Sequence, residues 1–589
     1  MRFLGNVLAT VIGIFVFIML LFFGIVLISA IAGNSSDVVE VKENSVIELD
    51  LSEVTNDYAG KFTFEKMPFL NDTDSHDGLT DVIYAIENAK TDKNIKGISI
   101  LNNTSMLGMA QSKALRDALE DFKKSGKFVY AYANAFTQKE YYLNSVANTV
   151  YLNPVGDMDF KGLSSEVMFF KDFQDKSGIK MEVIRHGKYK SAVEPFLENK
   201  MSDANREQIT SLLNSVWSSV VKDISTSRKI PVEKLNAIAD GLLARTPEMA
   251  KAEKLVDKVA YEDVYHDDIR KMLKVEKDED YNSIKILDYA QNVATTVSKP
   301  SSENSIAVIY AQGEILDGEG DVDIIGEGSM RRSLIEARKD ESIKAIVLRV
   351  DSPGGNALTS DLIWREIELT KKVKPVIVSM GNYAASGGYY IACNANKIFA
   401  EENTITGSIG VFGILPNFNV AATKFGFHTE LVKTHSNASD YSPFVPMDEN
   451  FKNFTQEMVE NIYTTFVSRV AAGRKLTTAQ VDAIAQGRVW SGSEAKKLGL
   501  VDEIGGMDAA LKYAASLAKL KEYRTINYPE YKKDPKDLLS GLGFPFAQTK
   551  EALIKEEIGV ENYKVMQEIK RFSLRKGVQA SMLYEIEIK

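Results

Sequence analysis

Cysteine is almost absent from this chain of 589 residues, which holds Cys393 alone. A single thiol excludes an intrachain disulfide and a cysteine-rich metal site. Histidine is scarce as well: His76, His186, His266, His428 and His435 are the five. The commonest general base of enzymes is therefore limited to a few positions. A basic excess is missing, since 71 Lys and Arg face 81 Asp and Glu for a net charge of -10. That balance argues against nucleic acid as a partner. Long apolar runs are missing from all but one place, so the rest of the chain is expected to be soluble.

The one apolar run is Val7–Ala32, 26 residues without a charge. As a helix it would extend about 39 Å, more than the roughly 30 Å of a hydrocarbon core. Arg2 precedes it and Asp37 and Glu40 follow. The positive-inside rule then keeps the N-terminus in the cytoplasm and sends the body outward. A cleaved signal peptide is the rival reading, because Ala30-Ile31-Ala32 fits a small-x-small cleavage site. The run exceeds the 7–15 apolar residues typical of a signal peptide, which favours a retained single-pass anchor.

What the body does contain is a duplication. "IKGISI" at 95–100 recurs as "IKAIVL" at 343–348, and "EYYL" at 140–143 as "GYYI" at 388–391. "NTVYL" at 148–152 answers "NKIFA" at 396–400, all at an offset of 248. "AKAEKLVD" at 250–257 answers "AKKLGLVD" at 495–502, offset by 245. The period is too long for a solenoid and indicates two homologous domains. The expected organisation is a cytoplasmic tip and anchor over 1–36, a first repeat over 45–297, a second over 306–525 and a tail over 526–589. Within the second copy "SIAVIYA", "IKAIVLRV" and "KPVIVSM" read as strands, and "MRRSLIEARKD" and "LTSDLIWREIELTKKV" as helices. This alternation predicts an α/β fold on parallel sheets. Long amphipathic patterns near 205–222 and 451–472 predict one further helix per copy, and "SKPSSENS" at 298–305 reads as the linker.

Ligand sites of open α/β sheets lie at the carboxyl ends of strands. Two loops of the second copy qualify: "DSPGGN" at 351–356 and "GNYAASGG" at 381–388. Ser386 in the second loop has the setting of a nucleophile, and paired glycines let backbone amides approach a ligand. Gly354 or Gly355 could supply one oxyanion donor and the amide at or just after Ser386 another. A bare Pro-Gly-Gly turn is the bland alternative. The Gly-x-Ser-x-Gly elbow is absent, since Ala384 stands where its first glycine would be. The base is open between His428 and His435, downstream, with His428 in the strand-like run "FHTELVK", and Lys190, in "HGKYKSAVEPF". A lysine would need its pKa lowered from about 10.4 toward 7, which burial can supply.

"YKSAVEPF" together with "DSPGGN…GNYAASGGYYIA…TGSIGVFG" resembles the bacterial signal peptide peptidase A, or protease IV, family of membrane-anchored serine–lysine peptidases. The likeness covers most of the chain after the apolar run, and the duplication marks the long two-domain type. The resemblance implies Ser386 as nucleophile, Lys190 as general base and Ser408 as the serine that orients the lysine. It implies an oxyanion hole drawn from Gly354, Gly355 and Gly387. Gln138 falls at the first-copy position of Ser386, and Ala438 at the second-copy position of Lys190, so one site per chain, shared between the copies, is expected. The family further implies two tandem crotonase-like, Clp-protease-like domains and a homotetramer on the inner membrane with its body on the periplasmic side. It implies hydrophobic remnants of cleaved signal peptides as substrates, and no metal or cofactor. A crotonase-like acyl-thioester enzyme and a non-catalytic membrane scaffold are the alternatives.

Overall fold

The computed structural model describes residues 2–33, 39–63, 73–74, 76–296, 302–438, 441–532 and 578–581. Residues 298–301 of the expected linker and most of the 526–589 tail lie outside them. The N-terminal run forms one helix, Arg2–Gly33, 32 residues long. Its apolar side chains at Val11, Phe15 and Leu20 face outward. Side chains are described without interruption only over 9–20, and among the described residues no helix is long and apolar enough to cross a membrane.

Each half of the body is built on a parallel sheet. In the first half the strands run Lys258–Val259, Thr149–Leu152, Phe128–Ala133, Ile95–Leu101, Ser45–Glu48 and Ser283–Lys285 across the sheet. The second half repeats this order with Glu503–Ile504, Lys397–Ala400, Val376–Ala385, Ile343–Ser352, Ser305–Gln312 and Arg524–Tyr528. Both sets are parallel throughout. Ile343–Ser352, Val376–Ala385 and Lys397–Ala400 begin 248 positions after Ile95–Leu101, Phe128–Ala133 and Thr149–Leu152. Helices cover the sheets, so central strands carry apolar residues on both faces, as in the burial of Ile346, Val347 and Leu348. The amphipathic patterns form two 26-residue helices, Asp203–Arg228 and Glu449–Arg474. Ser202 and Asp448 cap them by accepting from the amides of Asn205 and Phe451.

A third sheet joins the halves. Lys180–His186 of the first half pairs antiparallel with Val411–Asn417 of the second, His186 opposite Val411 and Lys180 opposite Asn417. The same sheet takes in Gly354–Asn356 and, beside it, Gln579–Ser581. A polar joint also links the halves. Arg349 donates from Nε to Asp57 Oδ2 at 2.6 Å, and Gln111 Nε2 donates to Asp57 Oδ1 at 3.0 Å. Asn382 Oδ1 accepts from the amides of Ala110 and Gln111 at the start of the first-half helix Met109–Lys123.

One strand reading fails. "FHTELVK" is irregular and exposed, with Phe427 and Val432 in solvent. Among the described residues its alternation of apolar and polar residues meets no strand edge to pair with, and a strand without a partner has no ladder to hold it.

Candidate active site

Ser386 ends the strand Val376–Ala385 and precedes the short helix Gly387–Ala392. Its backbone sits at φ 55, ψ −114, outside the regions open to most residues. Its amide donates to Gly407 O at 2.9 Å, and its carbonyl accepts from Tyr390 N at 2.8 Å, which fixes the turn from both sides. The side chain is fully buried. A tight strand-to-helix turn is thus present without the Gly-x-Ser-x-Gly spelling.

Lys190 follows the strand Lys180–His186 in a loop. The inter-half pairing of that strand delivers the side chain to the second half. Nζ lies 3.0 Å from Ser386 Oγ, 3.0 Å from Ser408 Oγ and 3.2 Å from Ser408 O. The Phe412 ring lies 5.7 Å from Nζ. Only 1% of Lys190 is exposed, and burial pushes its amine down to about 7. Desolvation disfavours the ammonium form and no counter-charge offsets it.

Second-half residues that sequence reasoning overlooked hold this loop. Tyr189 N donates to Gln486 O at 2.8 Å, and Gly487 N donates to Ile409 O at 2.8 Å. Ser408 N donates to Arg488 O at 2.7 Å, so residues 486–488 link the lysine loop to the Ser408 loop. Gly487 has φ +80, and a Cβ there would meet the Lys190 Cβ and amide nitrogen at 2.6 Å. Gln208 adds a further tie, donating to Tyr189 O and Ser191 Oγ, both at 3.2 Å. The available signal was "QGRVW" at 486–490, a glycine in front of a strand, which is too common to mark a site.

The glycine pair flanks Ser386. Gly354 has φ +102, and a Cβ there would lie 2.7 Å from Gly387 N and collide with Ala580 O. The Gly354 amide already donates to Ser352 Oγ at 3.1 Å. Gly355 and Gly387 approach each other closely, since a Cβ on Gly387 would lie 3.1 Å from Gly355 N. The Gly354 amide is thus taken up by Ser352 Oγ, while Gly355 and Gly387 lie side by side.

The histidines lie elsewhere. His428 and His435 are exposed, and the His186 ring stacks on Tyr463 at 3.9 Å. Among the described residues no histidine is hydrogen-bonded to Ser386. In the first half Gln138 holds the position of Ser386 and spends Oε1 on the amides of Lys161 and Gly162.

An α/β scaffold that buries a serine hydroxyl against a lysine amine has the makings of a serine hydrolase. The sequence comparisons narrow the class. The profile of Peptidase family S49 matches twice, over residues 121–276 and 368–521. A protein named Protease 4 from Haemophilus influenzae is 37% identical over 75% of this chain and 73% of its own. Another Protease 4, from Salmonella typhi, is 36% identical over 85% of this chain and 82% of its own. The chloroplastic serine protease SPPA of Arabidopsis thaliana is 32% identical over 77% of this chain and 68% of its own. The chain belongs to peptidase family S49, as a two-segment serine protease homologous to protease IV.

Proposed function

We propose that this peptidase is a membrane-anchored endopeptidase that degrades cleaved signal peptides through a Ser386–Lys190 dyad. The observation that carries the reading is the 3.0 Å approach of a buried Lys190 Nζ to Ser386 Oγ. With its pKa near 7, a substantial fraction of the amine is neutral at neutral pH. Its two N–H bonds suit Ser408 O and Ser408 Oγ, which leaves the nitrogen lone pair for the Ser386 hydroxyl. Ser408 is thereby the orienting serine. In the reaction Ser386 Oγ attacks the peptide carbonyl while Lys190 takes its proton. The amides of Gly355 and Gly387 face the developing oxyanion. Lys190 then protonates the leaving amine, and water, activated by the same lysine, hydrolyses the acyl-enzyme.

Anchoring is part of the proposal. The helix Arg2–Gly33 turns Val11, Phe15 and Leu20 outward and is about 48 Å long at 1.5 Å per residue. It would span the inner membrane once, its tip cytoplasmic and its body on the periplasmic side. Hydrophobic signal-peptide remnants are then the substrates nearest at hand. Two domains of the Clp-protease-like spiral and assembly as a homotetramer belong to the same reading. Exposed Phe425, Phe427 and Phe173 offer apolar surface for association. The test is fluorophosphonate labelling of detergent-solubilised protein alongside digestion of a synthetic signal peptide. Labelling and digestion lost together in Ser386→Ala support the proposal; digestion by that variant overturns it.

A further inference from the structure

Four residues after Lys190, "YKSAVEPF" buries a carboxylate that the reaction does not use, Glu194. Its Oε1 accepts from Ser202 N at 3.1 Å and its Oε2 from Asn205 Nδ2 at 2.6 Å. Both partners are neutral, in a setting where a buried carboxylate usually meets a cation. Ser202 caps the helix Asp203–Arg228, and Asn205 is the third residue of that helix. Glu194 thus takes the amide that a capping box would give to the helix's own third side chain. Gln208, one turn along and also buried, donates from Nε2 to Asn205 Oδ1 at 3.0 Å and to Tyr189 O and Ser191 Oγ, both at 3.2 Å. Its Oε1 accepts from Val489 N of the second half at 3.3 Å. A carboxylate has no hydrogen to give, so Glu194 fixes which way each amide points. Asn205 must turn Nδ2 toward Glu194 and Oδ1 toward Gln208. Gln208 must then present Nε2 to Asn205 and to the residues on either side of Lys190, and Oε1 to Val489.

We propose that Glu194 and Gln208 are positioning residues for the Ser386–Lys190 reaction: acting through Asn205, they clamp Tyr189 and Ser191 and so hold the Lys190 amine against Ser386 and Ser408. The proposal rests on the Ser386–Lys190 reading. The clamp also reaches the Ser408 loop, because Val489 follows Arg488, whose carbonyl accepts from Ser408 N. Among the described residues neither Glu194 nor Gln208 is hydrogen-bonded to Ser386 or to the Gly354–Asn356 edge, so both act on the lysine and leave the serine turn alone. The other charged groups around the loop are Arg185, which donates to Lys190 O at 3.4 Å, the Arg488–Glu207 ion pair on the Tyr189 hydroxyl, and Lys188 over the Tyr189 ring. None of them moves the Lys190 amine, which burial alone depresses. A loosened clamp admits water to that amine, weakens its desolvation and lets its pKa climb back.

The test uses the full chain purified in detergent and a fluorogenic form of a synthetic signal peptide, with kcat, KM, the pH profile and Tm read on each variant. Glu194→Gln sets one amide N–H group against another, and Gln208→Met keeps the volume but loses every N–H donor. Each should lower kcat by about a hundredfold, as a small misplacement of a reacting group does, with KM little changed. The acidic limb of each should move above the wild-type position near 7. The double variant Glu194→Gln with Asn205→Asp exchanges carboxylate and amide. The amide at 194 then accepts from Ser202 N and donates to the carboxylate at 205, which still accepts from Gln208. This variant should recover most of kcat and return the limb to its place. Wild-type kcat in Glu194→Gln and Gln208→Met overturns the proposal. So does a loss of activity that only tracks the folded fraction while the limb stays near 7, since that marks a scaffold role. A folded double variant no better than Glu194→Gln overturns the relay through Asn205. Lys190→Ala in the same assay separates this inference from the dyad. If Lys190→Ala is inactive and the clamp variants are normal, the clamp falls and the dyad stands; an active Lys190→Ala overturns both.

Discussion

Lys190 and Ser386 are 196 positions apart in sequence and 3.0 Å apart at Nζ and Oγ. The approach depends on a strand from each half, Lys180–His186 and Val411–Asn417, pairing antiparallel over seven residues. Neither half alone holds both groups. The duplication therefore does more than repeat a fold: each copy supplies what the other lacks at one shared site.

If the two residues act as one unit, their removal should not be additive. Ser386→Ala, Lys190→Ala and the double variant should each lower kcat for peptide hydrolysis by roughly four orders of magnitude. Lys190→Arg should be as inactive, since a guanidinium stays protonated. Replacing His428 and His435 together should leave turnover largely intact. Steady-state kinetics on these variants check the expectation. Substantial activity in Lys190→Arg would sink the lysine base.

The pH dependence of activity follows from the depressed amine. Below about 7 Lys190 is an ammonium and cannot take the serine proton; above it the free amine can. kcat/KM should therefore rise with pH on an acidic limb centred near 7. Ser408→Ala removes one of the two groups that take the amine's N–H bonds. It should lower kcat by about a hundredfold and leave the limb in place.

Stability should respond to the same group with a definite sign. In the unfolded chain Lys190 titrates near 10.4, in the folded chain near 7. Between these values the unfolded state binds more protons, so folding stability rises with pH over this window. Below about 7 the full penalty of burying the ammonium applies, on the order of 5 kcal/mol. Lys190→Met should accordingly raise Tm at pH 6, with a gain that shrinks toward pH 10. Denaturation curves of both proteins across that range provide the check, and a pH-independent difference would contradict it.

The joint between the halves makes a separate prediction. Asp57 is buried against Arg349 and carries a second bond from Gln111. Asp57→Ala leaves the Arg349 guanidinium uncompensated, and breaking one side of a buried pair costs about 3–5 kcal/mol. Urea denaturation should show that loss. Glu53→Ala, at an exposed position on the same segment, should stay within about 0.5 kcal/mol of wild type.

Much of this was legible in sequence for a physical reason. Parallel strands buried on both faces are written as apolar runs, and a duplication writes them twice, so "IKGISI" and "IKAIVL" identified their strands. Ser386 was visible because a tight turn at a strand end demands small residues around it. Lys190 was not visible from its own neighbourhood: the feature that depresses it is burial by Ser408, Phe412 and Gly487, all far away in the chain. Only the family likeness pointed to it. The segment 578–581 gave no signal either, since "VQAS" is an ordinary tetrapeptide whose meaning comes from the edge it pairs with. "FHTELVK" erred in the other direction, as a strand pattern with no edge to join among the described residues.

The residue least expected from sequence offers the sharpest test of how Lys190 is held. Gly487 sits at φ +80, and its α-carbon faces the Lys190 backbone so closely that a Cβ would stand 2.6 Å from both Lys190 Cβ and N. Those contacts are to backbone and to the root of a side chain, which cannot swing aside. Gly487→Ala adds strain at a left-handed position as well, for a total cost of about 1–3 kcal/mol. The variant should fold at reduced Tm. Because the lysine loop must retreat from the Ser408 loop, kcat should fall by more than tenfold while KM changes little, since Gly487 does not border the Gly354–Asn356 edge. Gly499→Ala, at φ +76 with open space around its Cβ, carries a similar backbone penalty away from the site. It should lose stability by a comparable amount and keep its kcat. Equal kcat in both variants would show that Gly487 serves the turn and has no part in positioning the lysine.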